Sequence, residues 1–183
     1  MKYEKLSQRR DYLNKLTDEV DDTNALMEMD CIDHFFECEE YKTYGKILRF
    51  AENNGFKRVF DIGCAYGHQS EVFINSKVDY IGINEDECDY WNKDRYKYIS
   101  KHYPFEIKAN ANDLAVSVLC LTWNCYLYEK DKTLKEQCEA LSRDFRNCLL
   151  YMQINQLEFV KKYFKNYKII DKNLVYLGCD KNI

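Results

Sequence analysis

The spacing of apolar positions changes along this chain. Up to about residue 52 they recur every three or four residues, the period of a helix with one buried face. From Tyr3 to about Val20 the sequence is charged and helix-forming, with Tyr12, Leu13 and Leu16 as a thin apolar face. Asp21-Asp22-Thr23-Asn24 reads as a break followed by an N-cap, and a second helix is expected from about Ala25 to Glu37. A third, Glu39 to Glu52, carries Tyr44, Ile47, Leu48 and Ala51 on one side. Asn53-Asn54-Gly55 stops it, because glycine readily takes the left-handed C-cap conformation.

Beyond Gly55 short apolar runs take over. Arg58 to Ile62, Asp79 to Ile83, Phe105 to Lys108, Leu114 to Leu121 and Cys148 to Met152 read as buried strands. Between them, helices are expected over His68 to Asn75, the strongly charged Glu85 to His102, and Lys132 to Arg146, with another at Leu157 to Phe164. The chain closes on Tyr167 to Asp171 and Leu174 to Gly178, which flank Lys172-Asn173. Two strand-like runs separated by two residues predict a tight antiparallel hairpin. Strands alternating with helices predict an α/β fold: a doubly wound, Rossmann-like, mostly parallel sheet with a reversed carboxyl-terminal strand. Residues 1–40 would be a helical cap and 41–183 the core of one domain spanning 1–183.

Composition narrows the chemistry. At 183 residues, 46% hydrophobic and 15% aromatic, the chain is a globular domain with enough material for a core. A net charge of -4 and a pI near 5.5 disfavour a nucleic-acid partner. Lys161, Lys162 and Lys165 read as a solvated helix face. No apolar run approaches the ~20 residues of a membrane span, and the polar start lacks a signal peptide. A cytoplasmic setting with reduced thiols is therefore expected for the 9 cysteines, among which there is no C-x-x-C. Cys31, His34 and Cys38 share a helix face, which suits either a zinc site or a buried stripe. We expect the stripe, and no metal.

The chemistry concentrates in Val59-Phe60-Asp61-Ile62-Gly63-Cys64-Ala65-Tyr66-Gly67-His68-Gln69-Ser70. Only 6 glycines occur in the chain, and two of them stand four apart here. A strand, a glycine turn and a helix build a cradle for an anion or nucleotide, because glycine lets backbone approach ligand and the helix presents unpaired N–H groups. The dinucleotide pattern G-x-G-x-x-G fails at Ala65 and His68, and a P-loop would need Gly-Lys-Ser/Thr. The stretch instead resembles the first motif of class I S-adenosylmethionine-dependent methyltransferases, (D/E)-x-G-x-G-x-G. Asp61, Gly63 and Gly67 match it, while Ala65 replaces the middle glycine, a change tolerated if its φ stays negative. The resemblance covers roughly Tyr41 to Gly178.

That resemblance implies S-adenosyl-L-methionine as cofactor and methyl transfer to a small-molecule substrate. It implies cofactor contacts at Asp61, Gly63, Cys64, Ala65 and Gly67. At the end of the second strand, Asn84 stands where the family has an acid that holds the ribose, so either Asn84 or the neighbouring Glu85 takes that role. Asn110 would lie near the adenine, and Ser117, in the fourth strand, would be a further cofactor contact. Asp61 would orient loop amides or reach the ligand's amino group; the plainer reading is a turn or N-cap acid. Trp123, Tyr126 and Tyr128 could line an aromatic substrate pocket or simply pack on the sheet, and Tyr44 or His34 could reach the site from a helical lid. His68 reads as a helix start. No catalytic residue is named, since methyl transfer depends mainly on alignment.

The elements assigned above leave about six residues between the third and fourth strands, too few for the usual helix. Gly63→Val is expected to abolish ligand binding with the fold largely kept. The alternative reading is a catalytically inactive cofactor-binding or protein-interaction module on the same fold.

Overall fold

In the computed structural model, which describes residues 4–19, 26, 29, 32–33, 40–88, 91–118, 120–121 and 130–178, seven described strands form one sheet. They are β1 (Arg58–Ile62), β2 (Asp79–Asn84), β3 (Lys97–Ser100), β4 (Asp113–Val118), β5 (Asn147–Tyr151), β6 (Asn166–Asp171) and β7 (Leu174–Gly178). Their order across the sheet is β3-β2-β1-β4-β5-β7-β6. β1 to β5 run parallel, and β7 lies antiparallel between β5 and β6. The described α-helices are α1 (Glu4–Glu19), α2 (Glu40–Asn53), α3 (Lys130–Asp144) and the short α4 (Leu157–Val160). Among the described residues, no helix is long and apolar enough to cross a membrane.

Both faces of the sheet are covered, as continuous apolar strands require. On β1, Val59 points into a cluster with Tyr44, Ile47 and Ala51 of α2 and with Val72 and Phe73. Leu13 of α1 and Ile32 join the same layer. Phe60 and Ile62 point the other way, toward Leu141 of α3, Phe145 and Val160 of α4. α2 buries the stripe foreseen at Tyr44, Ile47 and Ala51, and Gly55 ends it at φ 73°. The closing hairpin turns at Lys172-Asn173 without glycine; the Asp171 side chain accepts the Lys172 N–H at 2.8 Å and so supports the turn.

Two expectations fail together. The segment expected as a helix over Glu85 to His102 forms none among its described residues and contains β3 instead. Its charges are loop charges, while Tyr96 to Ser100 alternate between the two faces: Tyr98 packs with one cluster and Ile99 with the other. Aromatic and β-branched residues suit such a strand. Phe105 to Lys108, expected as the third strand, pairs with no strand. It reads as apolar because Ile107 is buried in the core, with Phe105 packed against it. The connection from β3 to β4 is therefore residues 101–112, longer than expected, yet it still contains no helix.

The helix expected over His68 to Asn75 is a 3-10 helix, His68–Phe73, buried along its length. Of the second expected helix, residues 26, 29, 32 and 33 are helical. Cys31, His34 and Cys38 lie outside the described residues, as do Trp123, Tyr126 and Tyr128.

The strand order reverses between β1 and β4. In open parallel sheets that switch point opens a crevice at the carboxyl ends of the strands, where ligands bind. The glycine-rich turn leaves β1 at this crevice.

Candidate functional site

Three residues of the turn have positive φ: Gly63 at 81°, Ala65 at 45° and Gly67 at 72°. Ala65 thus departs from the negative φ on which its tolerance was premised, and among the described residues it is the one non-glycine with φ above zero. Left-handed backbone costs an alanine about 1 kcal/mol. Ala65→Gly, which restores the full family pattern, is expected to raise stability by up to about 1 kcal/mol, read as a higher urea midpoint with unchanged slope.

The turn is held shut more than the sequence implied. Gly63 N–H and Cys64 N–H both donate to the Ile83 carbonyl, at 2.8 and 3.0 Å, and Gly67 N–H donates to the Cys64 carbonyl at 2.8 Å. The first two amides close the turn onto β2 and the third closes the turn on itself, so all three are already engaged.

Asp61 is fully buried and organises this closure. Its carboxylate accepts from the hydroxyl of Tyr80 at 2.7 Å, from Gln69 Nε2 at 2.7 Å and from the hydroxyl of Tyr44 at 3.1 and 3.2 Å. The same Gln69 amide donates to the Cys64 carbonyl at 3.0 Å. Asp61 therefore orients the loop through Gln69, not by taking loop amides itself. Burial pushes its pKa up to about 6, against the pull of the Tyr80, Gln69 and Tyr44 hydrogen bonds, and the Glu40 charge adds to the rise. Tyr44, expected to face a substrate, is instead buried, with its hydroxyl committed to Asp61.

The glycines mark close approaches. A Cβ on Gly63 would lie 2.0 Å from Cys120 Sγ and 2.3 Å from its Cβ. Gly63→Val therefore strikes the packing of the β4 end as well as any ligand, which corrects the expectation of an intact fold. A Cβ on Gly82 would meet Tyr98 at 2.5 Å and Cys64 Sγ at 2.8 Å. Tyr98 stacks on Trp91 with ring centroids 4.8 Å apart at 7°, and Trp91 Nε1 donates to the Ala65 carbonyl at 2.8 Å. Gln69, Tyr80, Trp91, Tyr98 and Cys120 thus frame the turn, and the sequence reading gave none of them a role there. One signal was available: a lone glycine inside a strand, Gly82, marks a place where something packs against the backbone.

Asn84 and Glu85 stand at the carboxyl end of β2, on the crevice side. Asn84 Nδ2 donates to the Asp86 carbonyl at 3.0 Å, leaving Oδ1 to accept from a ligand. Glu85 is exposed, and its carboxylate meets His102 Nδ1 at 3.1 Å. Asn110, expected near an adenine, lies at the other pole: its N–H donates to Asp113, whose carboxylate binds Arg58 at the amino end of β1. It was placed by the mistaken third strand; the residues that do follow β3 are Lys101 and His102. Ser117 is buried, and its hydroxyl donates to the Ile62 carbonyl at 3.0 Å, tying β4 to β1 beneath the crevice. Burial pushes the Cys64 thiol up, with the Asp61 charge adding, so it stays protonated. Burial, with the Arg9 charge, lowers His68 to about 3, and its neutral ring stacks on Tyr66.

No family model matches the sequence, and neither does any curated protein. Solved structures do match the fold. WbdD, a bifunctional kinase-methyltransferase, superimposes in its monomeric form with a TM-score of 0.60 at 12% identity. That match covers 79% of this chain and 42% of WbdD, so the chain spans about two fifths of that protein. Magnesium protoporphyrin IX methyltransferase from Synechocystis PCC 6803, solved with bound SAM, gives 0.56 at 11% identity over 75% of this chain and 77% of its own. The fold is that of the class I S-adenosylmethionine-dependent methyltransferases. A methyltransferase from Clostridium acetobutylicum ATCC 824 has it too, with a TM-score of 0.52 at 15% identity over 80% of this chain and 64% of that one. In this sheet the glycine turn follows β1, Asn84 and Glu85 stand at the end of β2, and Lys101 and His102 follow β3, so all three sit at the carboxyl ends of neighbouring parallel strands.

Proposed function

We propose that this chain binds S-adenosyl-L-methionine in the crevice at the ends of β1, β2 and β4, and transfers its methyl group to a small molecule. The observation that carries the reading is the coincidence of the positive-φ turn Gly63–Gly67 with the switch point of a class I sheet, beside an exposed carboxylate at the β2 end. The residues fit the cofactor at its ribose end. Glu85 would accept from the ribose hydroxyls, with Asn84 Oδ1 as a second acceptor; charge-assisted bonds favour Glu85. His102, already beside Glu85, would border the adenine side.

When bound, the cofactor supplies an electrophilic methyl on a sulfonium. The chain's own part is positioning. Asp61 and Gln69 fix the Cys64 carbonyl, Trp91 fixes the Ala65 carbonyl, and Ser117 locks β4 to β1. Cys120, against Gly63, bounds the crevice on the β4 side. An acceptor that is already nucleophilic needs no base, and its proton leaves to solvent. We place the protein in the cytoplasm, which suits Cys64, Cys88, Cys120, Cys138 and Cys148 being thiols, not disulfides.

The test is transfer of a tritiated methyl from S-adenosylmethionine to fractions of a cell extract. Label is expected in the small-molecule filtrate and not in protein or nucleic acid. Absence of cofactor binding by calorimetry would refute the proposal. A second reading, a binding module without turnover, draws on the closed turn and on Cys120 filling the space over Gly63. Binding with no labelled product in any fraction would favour it.

A further inference from the structure

A cavity of about 520 Å³ opens between α1, the 3-10 helix His68–Phe73 and the turn that follows Trp91. Cavities of this size hold small metabolites. Its walls include Arg9, Glu71, Trp91, Lys93 and Asp94.

Glu71 is the group that needs explaining. It is only 5% exposed, yet among the described residues its carboxylate has neither a hydrogen-bond donor nor an ion-pair partner. The nearby charges are used elsewhere: Lys93 pairs with Glu87, and the Arg9 guanidinium lies 5.2 Å from the centre of the Tyr12 ring. Asp94, exposed at the mouth, adds a second carboxylate with no cation on it among the described residues. The carboxylate is not sealed in: its oxygens are reached from the cavity, where they offer an unpaired negative charge. The indole of Trp91 forms one wall. Tyr98 covers one ring face, while Lys93 Nζ lies 5.9 Å from the ring centroid, so this ring already has a cation against it.

We infer that this cavity is a binding site for a small aliphatic ammonium compound, whose charged nitrogen pairs with Glu71 and whose apolar chain lies along Trp91. A diamine places its second charge at Asp94. Its charged walls, Glu71 and Asp94, are not among the residues assigned to the cofactor, and the inference does not depend on the methyltransferase reading. The cavity nonetheless touches the glycine turn from behind: Trp91 Nε1 holds the Ala65 carbonyl, and Ser70 N–H holds the Gly67 carbonyl at 3.0 Å.

The test uses the nitrogen-15-labelled chain without cofactor, with butane-1,4-diamine as probe and 1-butanol as its uncharged control. The readout is the Trp91 indole N–H resonance, assigned by its loss in Trp91→Phe. A saturable shift with the diamine and none with the alcohol is expected. Glu71→Gln should weaken the diamine about tenfold, the loss of one charge-assisted bond. Asp94→Asn, at an exposed position, should weaken it about threefold while the amide spectrum stays folded. The inference is overturned by the absence of a saturable diamine shift, by an equal response to butanol, or by full affinity in either variant. Should Glu71→Gln fail to fold, the Asp94→Asn result decides.

Discussion

Asp61→Ala is expected to cost about 4 kcal/mol of unfolding free energy, because each buried donor left without a partner costs about 1–3 kcal/mol. The hydroxyls of Tyr44 and Tyr80 and the Gln69 amide all converge on this carboxylate in a fully buried position. Urea unfolding measures the loss; a cost below about 1 kcal/mol would mean the cluster re-pairs and does not hold the loop. Asp61→Asn separates charge from shape. The folded-state pKa, raised to about 6, stands above the 3.8 of an ordinary aspartate. The folded protein therefore holds the proton more tightly than the unfolded chain does. The stability that this proton confers is complete below about pH 4 and is lost as pH rises through about 6, a change of roughly 3 kcal/mol. The wild type should show this downward slope in unfolding free energy, and Asp61→Asn should lack its share of it. Equal slopes in the two proteins would show that another group titrates.

Gly63→Val should be the other large effect. Its φ of 81° disfavours any side chain, and its Cβ would overlap Cys120 Sγ at 2.0 Å. We expect a loss of about 4 kcal/mol or failure to fold, since overpacking alone costs about 1–3 kcal/mol and left-handed strain adds to it. The contact itself is isolated by a double-mutant cycle of Gly63→Ala with Cys120→Gly. Removing the Cys120 side chain leaves its Cα 3.8 Å from the new Cβ, an ordinary contact. The double variant should recover about 2 kcal/mol relative to the sum of the single losses. Strict additivity would contradict the close packing of these two residues.

How much of this was legible beforehand depends on how local each signal is. β1, β2, β4 and the hairpin were readable because each carries its own apolar run or turn. The α2 face at Tyr44, Ile47 and Ala51 was readable from its period. β3 was not, because two tyrosines and an isoleucine stand among lysines, arginines and aspartates whose number imitates a solvated helix. The turn was located by its glycines, but its state was hidden. Whether Gly63 and Cys64 spend their amides on Ile83 is decided by how closely β1 and β2 approach, which is a tertiary matter. The partners of Asp61 come from α2, the 3-10 helix and β2, three elements that no spacing rule brings together. Asn110 went to the wrong pole because one strand was misplaced, and one strand in a parallel sheet determines which end its flanking residues occupy.

The central claim is that the crevice beside the glycine turn receives an adenosyl ligand. Titrating S-adenosylhomocysteine into the nitrogen-15-labelled chain and following backbone amides tests it directly. The account expects saturable shifts concentrated at residues 63–67, 84–85 and 101–102. No saturation, or shifts gathered instead around Arg58, Asp79 and Asp113 at the opposite pole, would contradict it.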